Sequence, residues 1–254
     1  MALTIRTRKQ IAAFGLLMVI ISASCVVVCA KQIRCELIHW SNMKEVSKSL
    51  YVDPDMSQPQ VAQIVQMTVE AKQRVAQFYG EAQSTPIIIA GQDERAMGRY
   101  LQPGNRTATT YLYFGKAYVV LGPDGLSVDV VAHEFMHAEL SKRIGGLDRQ
   151  FKIPTWFDSG LAMQADNREG YSEKEFQRKT EGGKLAPSLS RITSDRTFYT
   201  SDYWVNYATS KHEVNRWFKI VRKQGLADFL RRVRNEPFAD AYESTEKEYA
   251  THHQ

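Results

Sequence analysis

Cysteine is scarce in this chain, with three in 254 residues. Two of them, Cys25 and Cys29, fall inside an uncharged apolar run, so Cys35 stands alone in the rest of the sequence. An internal disulfide framework is therefore excluded for residues 31–254, and so is a cysteine-built metal site. A dominant charge is also lacking. The formal total is +5, but three of the 33 basic residues (Arg6, Arg8 and Lys9) lie in the first thirty positions, which hold no acid. The remainder sets 30 basic against 28 acidic groups, a net of +2. No basic stripe with interleaved aromatics is found, so a nucleic-acid partner is not expected. Internal repeats and low-complexity tracts are absent. About 220 residues can build one substantial core without staples.

One long hydrophobic run is present. Ile11 to Ala30 carries no charge, and twenty helical residues span about 30 Å, the thickness of a hydrocarbon core. The basic cluster before it predicts a cytoplasmic amino terminus, a single-pass transmembrane anchor and an exported remainder. Two alternatives compete. Val28-Cys29-Ala30 could be a signal-peptidase site giving a secreted product, and Ser22-Ala23-Ser24-Cys25 faintly resembles a bacterial lipoprotein box. Cys35 is then a free thiol near the membrane or half of an intermolecular bridge. This organisation gives a basic tail at 1–10, an anchor at 11–30, a polar juxtamembrane segment at 31–56 and a folded domain at 57–254.

The strongest chemical signal is His133-Glu134-Phe135-Met136-His137. Histidines four apart lie about 40° from each other on one helix face, so both can reach one Zn2+ ion. Glu134 is placed to take a proton from an activated water. The competing interpretation is a surface helix with two incidental histidines. Context favours the metal: Val128, Val130, Val131, Phe135 and Leu140 suit a helix buried against a sheet. Ser127 or Asp124 can cap its start, Lys142 and Arg143 fit its last turn, and Gly145-Gly146 ends it.

About twenty residues further on stands Pro154-Thr155-Trp156-Phe157-Asp158-Ser159-Gly160-Leu161-Ala162. With this second motif, the stretch from Thr110 to Ala165 resembles the gluzincin zinc metallopeptidases, the thermolysin- and aminopeptidase-like group. The resemblance implies a second helix whose glutamate is the third zinc ligand. Pro154, Trp156, Phe157, Gly160, Leu161 and Ala162 match that pattern, but the ligand position is Ser159. Asp158 is the candidate replacement. On a regular helix it points about 100° away from the Ser159 direction, and its alternative role is a first-turn acid favoured by the helix dipole. Asp166 would lie on the Ser159 face but about 10 Å further along, too far to ligate. Gluzincins often supply a downstream Tyr or His to the oxyanion, and Tyr207 is the candidate in the Tyr199–Tyr207 segment. It also fits an apolar stripe with Tyr203, Trp204, Val214, Trp217, Phe218 and Val221. His212, in the same helix, reads as a polar-face residue.

The expected scaffold is α+β: a small mixed or antiparallel sheet packed on the metal helix, a helical carboxy-terminal part and one amino-terminal transmembrane helix. Ser57 and Gly80 bracket a helix. Pro86–Ala90 reads as a buried strand, and Thr110–Phe114 pairs with Ala117–Leu121 across Gly115-Lys116. Asn167–Thr197 reads as the least ordered stretch. Helices follow over 202–224, with Gly225 as a stop, and over 226–234. His252 and His253 end a solvated acidic tail. The expected function is a membrane-anchored zinc peptidase acting on peptides or proteins in the cell envelope. The competing class is a pseudopeptidase that binds a peptide or protein through the same cleft.

Overall fold

The computed structural model describes residues 30–251. Its strands are β1 (Lys44–Ser47), β2 (Leu50–Val52), β3 (Ile87–Ala90), β4 (Ala108–Tyr113) and β5 (Lys116–Leu121). They form one sheet in the order β1-β2-β3-β5-β4. The three inner strands run parallel, and β1 and β4 pair antiparallel at the two edges. The helices are α1 (Ala30–Glu36), α2 (Gln58–Tyr79), α3 (Glu94–Met97), α4 (Val128–Ile144), α5 (Gly146–Lys152), α6 (Thr155–Ala162), α7 (Glu173–Lys179), α8 (Asp195–Thr200), α9 (Tyr203–Arg232) and α10 (Phe238–Thr251).

The inner strands are continuous apolar runs because both faces of the sheet are buried. Side chains alternate across a strand. Ile88, Ala90, Val119 and Leu121 therefore meet the helices of one face, where Val61, Ile64, Val131 and Phe135 pack. Tyr51, Ile89, Tyr118 and Val120 point to the other face and bury Cys35, Ile38 and Met97. Helix α2 is set by its ends: Ser57 and Gln60 form a capping box, and Gly80 closes it at φ 78. Such a reciprocal cap satisfies two otherwise orphaned amides. The β4–β5 turn falls on Phe114 and Gly115, at φ 45 and 76, one residue earlier than the spacing predicts. Two consecutive positive φ values give the turn twist that matches antiparallel strands.

The amino-terminal part of the expected fold is corrected. No helix among the described residues is long and apolar enough to cross a membrane. Positions 11–29 of the expected span, with the basic tail before them, lie outside the described residues, as do His252 and His253. Ala30 opens α1, a seven-residue helix with charges at Lys31, Arg34 and Glu36. Its Glu36 pairs with Lys116, 2.5 Å away, and accepts from the Tyr118 hydroxyl. The segment expected to be juxtamembrane thus joins the folded unit, and β1 and β2 extend its sheet.

The carboxy-terminal half differs in detail. The 167–197 stretch holds α7 and the start of α8, capped by Ser172 and Ser194. The helix after Asp202 breaks at Arg222 (φ 57) rather than at Gly225. Gly225 continues the second half, where a Cβ would stand 2.6 Å from the Val221 Cβ and 3.1 Å from the Tyr249 ring. It is a packing glycine. The acidic tail is α10, and it buries Ala241 and Thr245 against the core.

Candidate metal centre and cleft

Two helices carry the site, and their positions follow from packing. Helix α4 starts where the Ser127 hydroxyl accepts from the Val130 amide and stops at Gly145, φ 94. Buried between the sheet and α2, it holds His133 and Glu134 at 5% and 8% exposure. Helix α6 begins after Pro154. Phe157 is fully buried, with ring centroids 5.0–5.9 Å from Trp217, Phe229, Phe238 and Tyr242. Trp156 sits edge-on to Phe238 and Tyr242. Gly160 lets α6 cross α9 closely, since a Cβ there would lie 2.4 Å from the Ser210 carbonyl oxygen. The Trp-Phe-x-x-Gly part of the second motif is thus the anchor that fixes α6 beside α4.

These helices border a cleft of about 740 Å³ lined by His133, Glu134, His137, Asp158, Ser159 and Tyr207. All five expected site residues therefore share one cavity, together with the serine at the third-ligand position. The Nε2 atoms of His133 and His137 face each other at 3.2 Å. The Nδ1 of His137 lies 2.7 Å from the Asp158 carboxylate, which also pairs with Arg149 at 2.6 Å. Burial opposes ionisation of Asp158, but Arg149 and His137 outweigh it and hold this carboxyl well below the usual range. Asp158 is thus an anion, and the His137 Nδ1 that it faces also lies 3.0 Å from the Arg149 guanidinium.

His133 has a similar backing. Its Nδ1 is 3.6 Å from the Asp166 carboxylate, a separation longer than a hydrogen bond. Asp166 is fully buried and pairs with Arg168 at 2.5 Å. Burial again opposes its charge, and contacts with His133 and Arg168 prevail, so its pKa is lowered. Helix α6 ends at Ala162, and the chain then turns, Asp166 N–H donating to the Met163 carbonyl. That turn brings Asp166 to His133, where a continued helix would have carried it away.

Glu134 is held on the β4 side, where Thr110 Oγ1 donates to its carboxylate at 2.6 Å. Tyr207 places its ring centroid 6.0 Å from that of His133, and its hydroxyl is 3.3 Å from the Tyr199 hydroxyl. Burial pushes the Tyr207 phenol well above its ordinary pKa, so it is a neutral donor at physiological pH. Tyr199 also borders the cleft. His212 lies apart from this group, stacked on Phe176 and bonded to Glu173 at 2.8 Å.

Several of these residues were not singled out as functional in the sequence. Thr110 appeared only as a strand residue, and Arg149 follows the glycines that end the metal helix without any motif. Asp166 arrives through a turn that helical extrapolation misses. Tyr199 alone had a signal, as one of the tyrosines grouped near Tyr207.

The donor set fits a cation in part. The two Nε2 atoms, 3.2 Å apart, can share one proton as a hydrogen bond or bind one cation together. Two nitrogens bound to a tetrahedral ion at 2.0–2.1 Å lie roughly 3.3 Å apart, close to the spacing here. Asp158 spends its oxygens on His137 Nδ1 and Arg149, so its contacts are those of an orienting carboxylate rather than a third ligand. No group of three or more His, Cys, Asp or Glu side chains among the described residues is arranged to hold a metal ion. No family model matches this chain, and no curated protein or solved structure shows significant similarity to it.

Proposed function

We propose that this protein is a zinc-dependent peptidase in which His133 and His137 hold Zn2+ and Glu134 is the general base. The observation that carries this reading is the facing Nε2 pair at 3.2 Å with Glu134 in the same cleft. Zn2+ bound there would supply an acidified water and a polarised substrate carbonyl. Glu134, steadied by Thr110, takes the proton from the attacking water and passes it to the leaving amine. The Tyr207 hydroxyl, with Tyr199 beside it, is the donor available to a developing oxyanion. Edge strand β4 borders the cleft through Ala108, Thr109 and Thr110 and offers backbone groups to an extended peptide. Asp158 orients the His137 imidazole from behind, and Asp166 sets a negative charge 3.6 Å behind that of His133.

One observation favours a second reading. Ser159 stands where the gluzincin pattern carries a glutamate, and a neutral hydroxyl is a poor substitute for a carboxylate. A pseudopeptidase that binds peptides in the same cleft would tolerate that change. Peptide hydrolysis by the zinc-supplemented full chain, compared with Glu134→Gln, separates the two. The peptidase reading expects cleavage that disappears in the variant while zinc content is kept. Absence of cleavage, or cleavage indifferent to Glu134→Gln, would sink it.

A further inference from the structure

The cleft does not end at the histidines. Strand β4 lines it with Ala108–Thr110 and, further along, lines a second groove of about 800 Å³ with Leu112 and Tyr113. Helix α4 does the same, giving His133, Glu134 and His137 to the cleft and Ala138, Ser141 and Lys142 to the groove. Gln150 of α5 lines both. One edge strand and one helix thus wall both the cleft and the groove, with Gln150 between them.

The lining of this groove is unusual for a plain surface. Phe114 and Leu147 stand on it at 85% and 76% exposure. Single exposed apolar residues are ordinary, but Phe114 also occupies φ 45 in the hairpin turn. Glycine or asparagine adopts that conformation at far lower cost. An aromatic there opposes both solvation and backbone preference. The charged residues of the groove are Lys116 and Lys142, with no acid among its lining, and Lys116 is held by Glu36.

We infer that the groove is the outer part of the peptide site and takes a polypeptide extending past the cleft along β4. From Thr110 to Leu112–Phe114 is two to four residues, or roughly 7–13 Å of strand. The occupant therefore places a large apolar side chain against Phe114 and Leu147 two to four residues from the position held over Glu134. An acidic neighbour is admitted toward Lys142. The substrate class is an extended, apolar-rich polypeptide rather than a dipeptide. This rests on the cleft being a peptide site, not on catalysis.

The test uses full-length Glu134→Gln protein and labelled octapeptides carrying a single leucine stepped through a serine–glycine background. Affinity is read by fluorescence anisotropy. One leucine position binds best, and Leu147→Ser or Phe114→Asn in the same background weakens that peptide about tenfold, the effect of exposing one buried apolar side chain. Both residues are exposed, so neither change threatens folding. Equal affinity at all leucine positions, no binding, or a preferred position untouched by both variants would overturn the inference. Cleavage of the same peptides by the protein with Glu134 intact is scored separately. Groove-dependent binding without cleavage removes the peptidase reading and leaves this one standing.

Discussion

Asp158→Ala probes the support of the histidine pair and gives two separable signals. The carboxylate and Arg149 have side-chain exposures of 16% and 17% and lie 2.6 Å apart. Deleting one partner of such a pair leaves the other charge buried, a cost of about 3–5 kcal/mol. Because the pair borders an open cleft, the lower end applies, about 3 kcal/mol. For a domain of this size that corresponds to a fall in Tm of about 6–12 °C. Calorimetry on metal-free protein reads this term alone. Loss of an orienting carboxylate also lowers metal affinity by about 10–100-fold without removing a ligand, which a competition titration with a zinc chelator measures. A metal-free Tm within about 2 °C of wild type would refute the account of the pair. Complete loss of zinc binding would make Asp158 a ligand and refute the orienting role.

Three further outcomes follow from packing and burial. Gly160→Ala forces a Cβ to within 2.4 Å of the Ser210 carbonyl oxygen and should destabilise by about 1–3 kcal/mol, read by chemical denaturation; a neutral result would mean that α6 and α9 separate freely. Phe114→Asn relieves the φ 45 turn and should stabilise by about 1 kcal/mol, seen as a rise in Tm; a fall in Tm would contradict the strain argument. Cys35 is fully buried and its thiol is pushed up to about 12, by burial above all. In a Cys25→Ser/Cys29→Ser background it should resist a thiol reagent at pH 8 until the protein unfolds. Because the folded pKa is the higher one, its contribution to stability is complete below about pH 9 and is lost as pH rises towards 12. Rapid labelling of the native protein would show that Cys35 is accessible.

Where local chemistry decides structure, the sequence was legible. Ser57 and Gly80 bound α2, Ser127 and Gly145 bound α4, and the Ile87–Ala90 run is a strand because both its faces are covered. Histidines four apart on one helix face were enough to pair His133 with His137. The remainder depends on contacts distant in sequence. Strand β1 is exposed at all four residues and carries no apolar alternation to announce it. Gly225 looked like a helix stop but serves the close approach of Tyr249. The expected membrane span rests on the length of one uncharged run and the basic cluster before it, and most of it lies outside the described residues. Arg149 reaches His137, 3.0 Å away, and Asp166 reaches His133 only through the chain turns after α4 and α6.

Zinc stoichiometry of the purified full chain, measured beside His133→Ala, His137→Ala and Ser159→Glu, tests the central claim most directly. The account predicts one zinc per chain, lost in each histidine variant and bound more tightly when Ser159→Glu adds a third ligand. A chain that takes up no zinc even in Ser159→Glu, or binding that survives loss of either histidine, would contradict it.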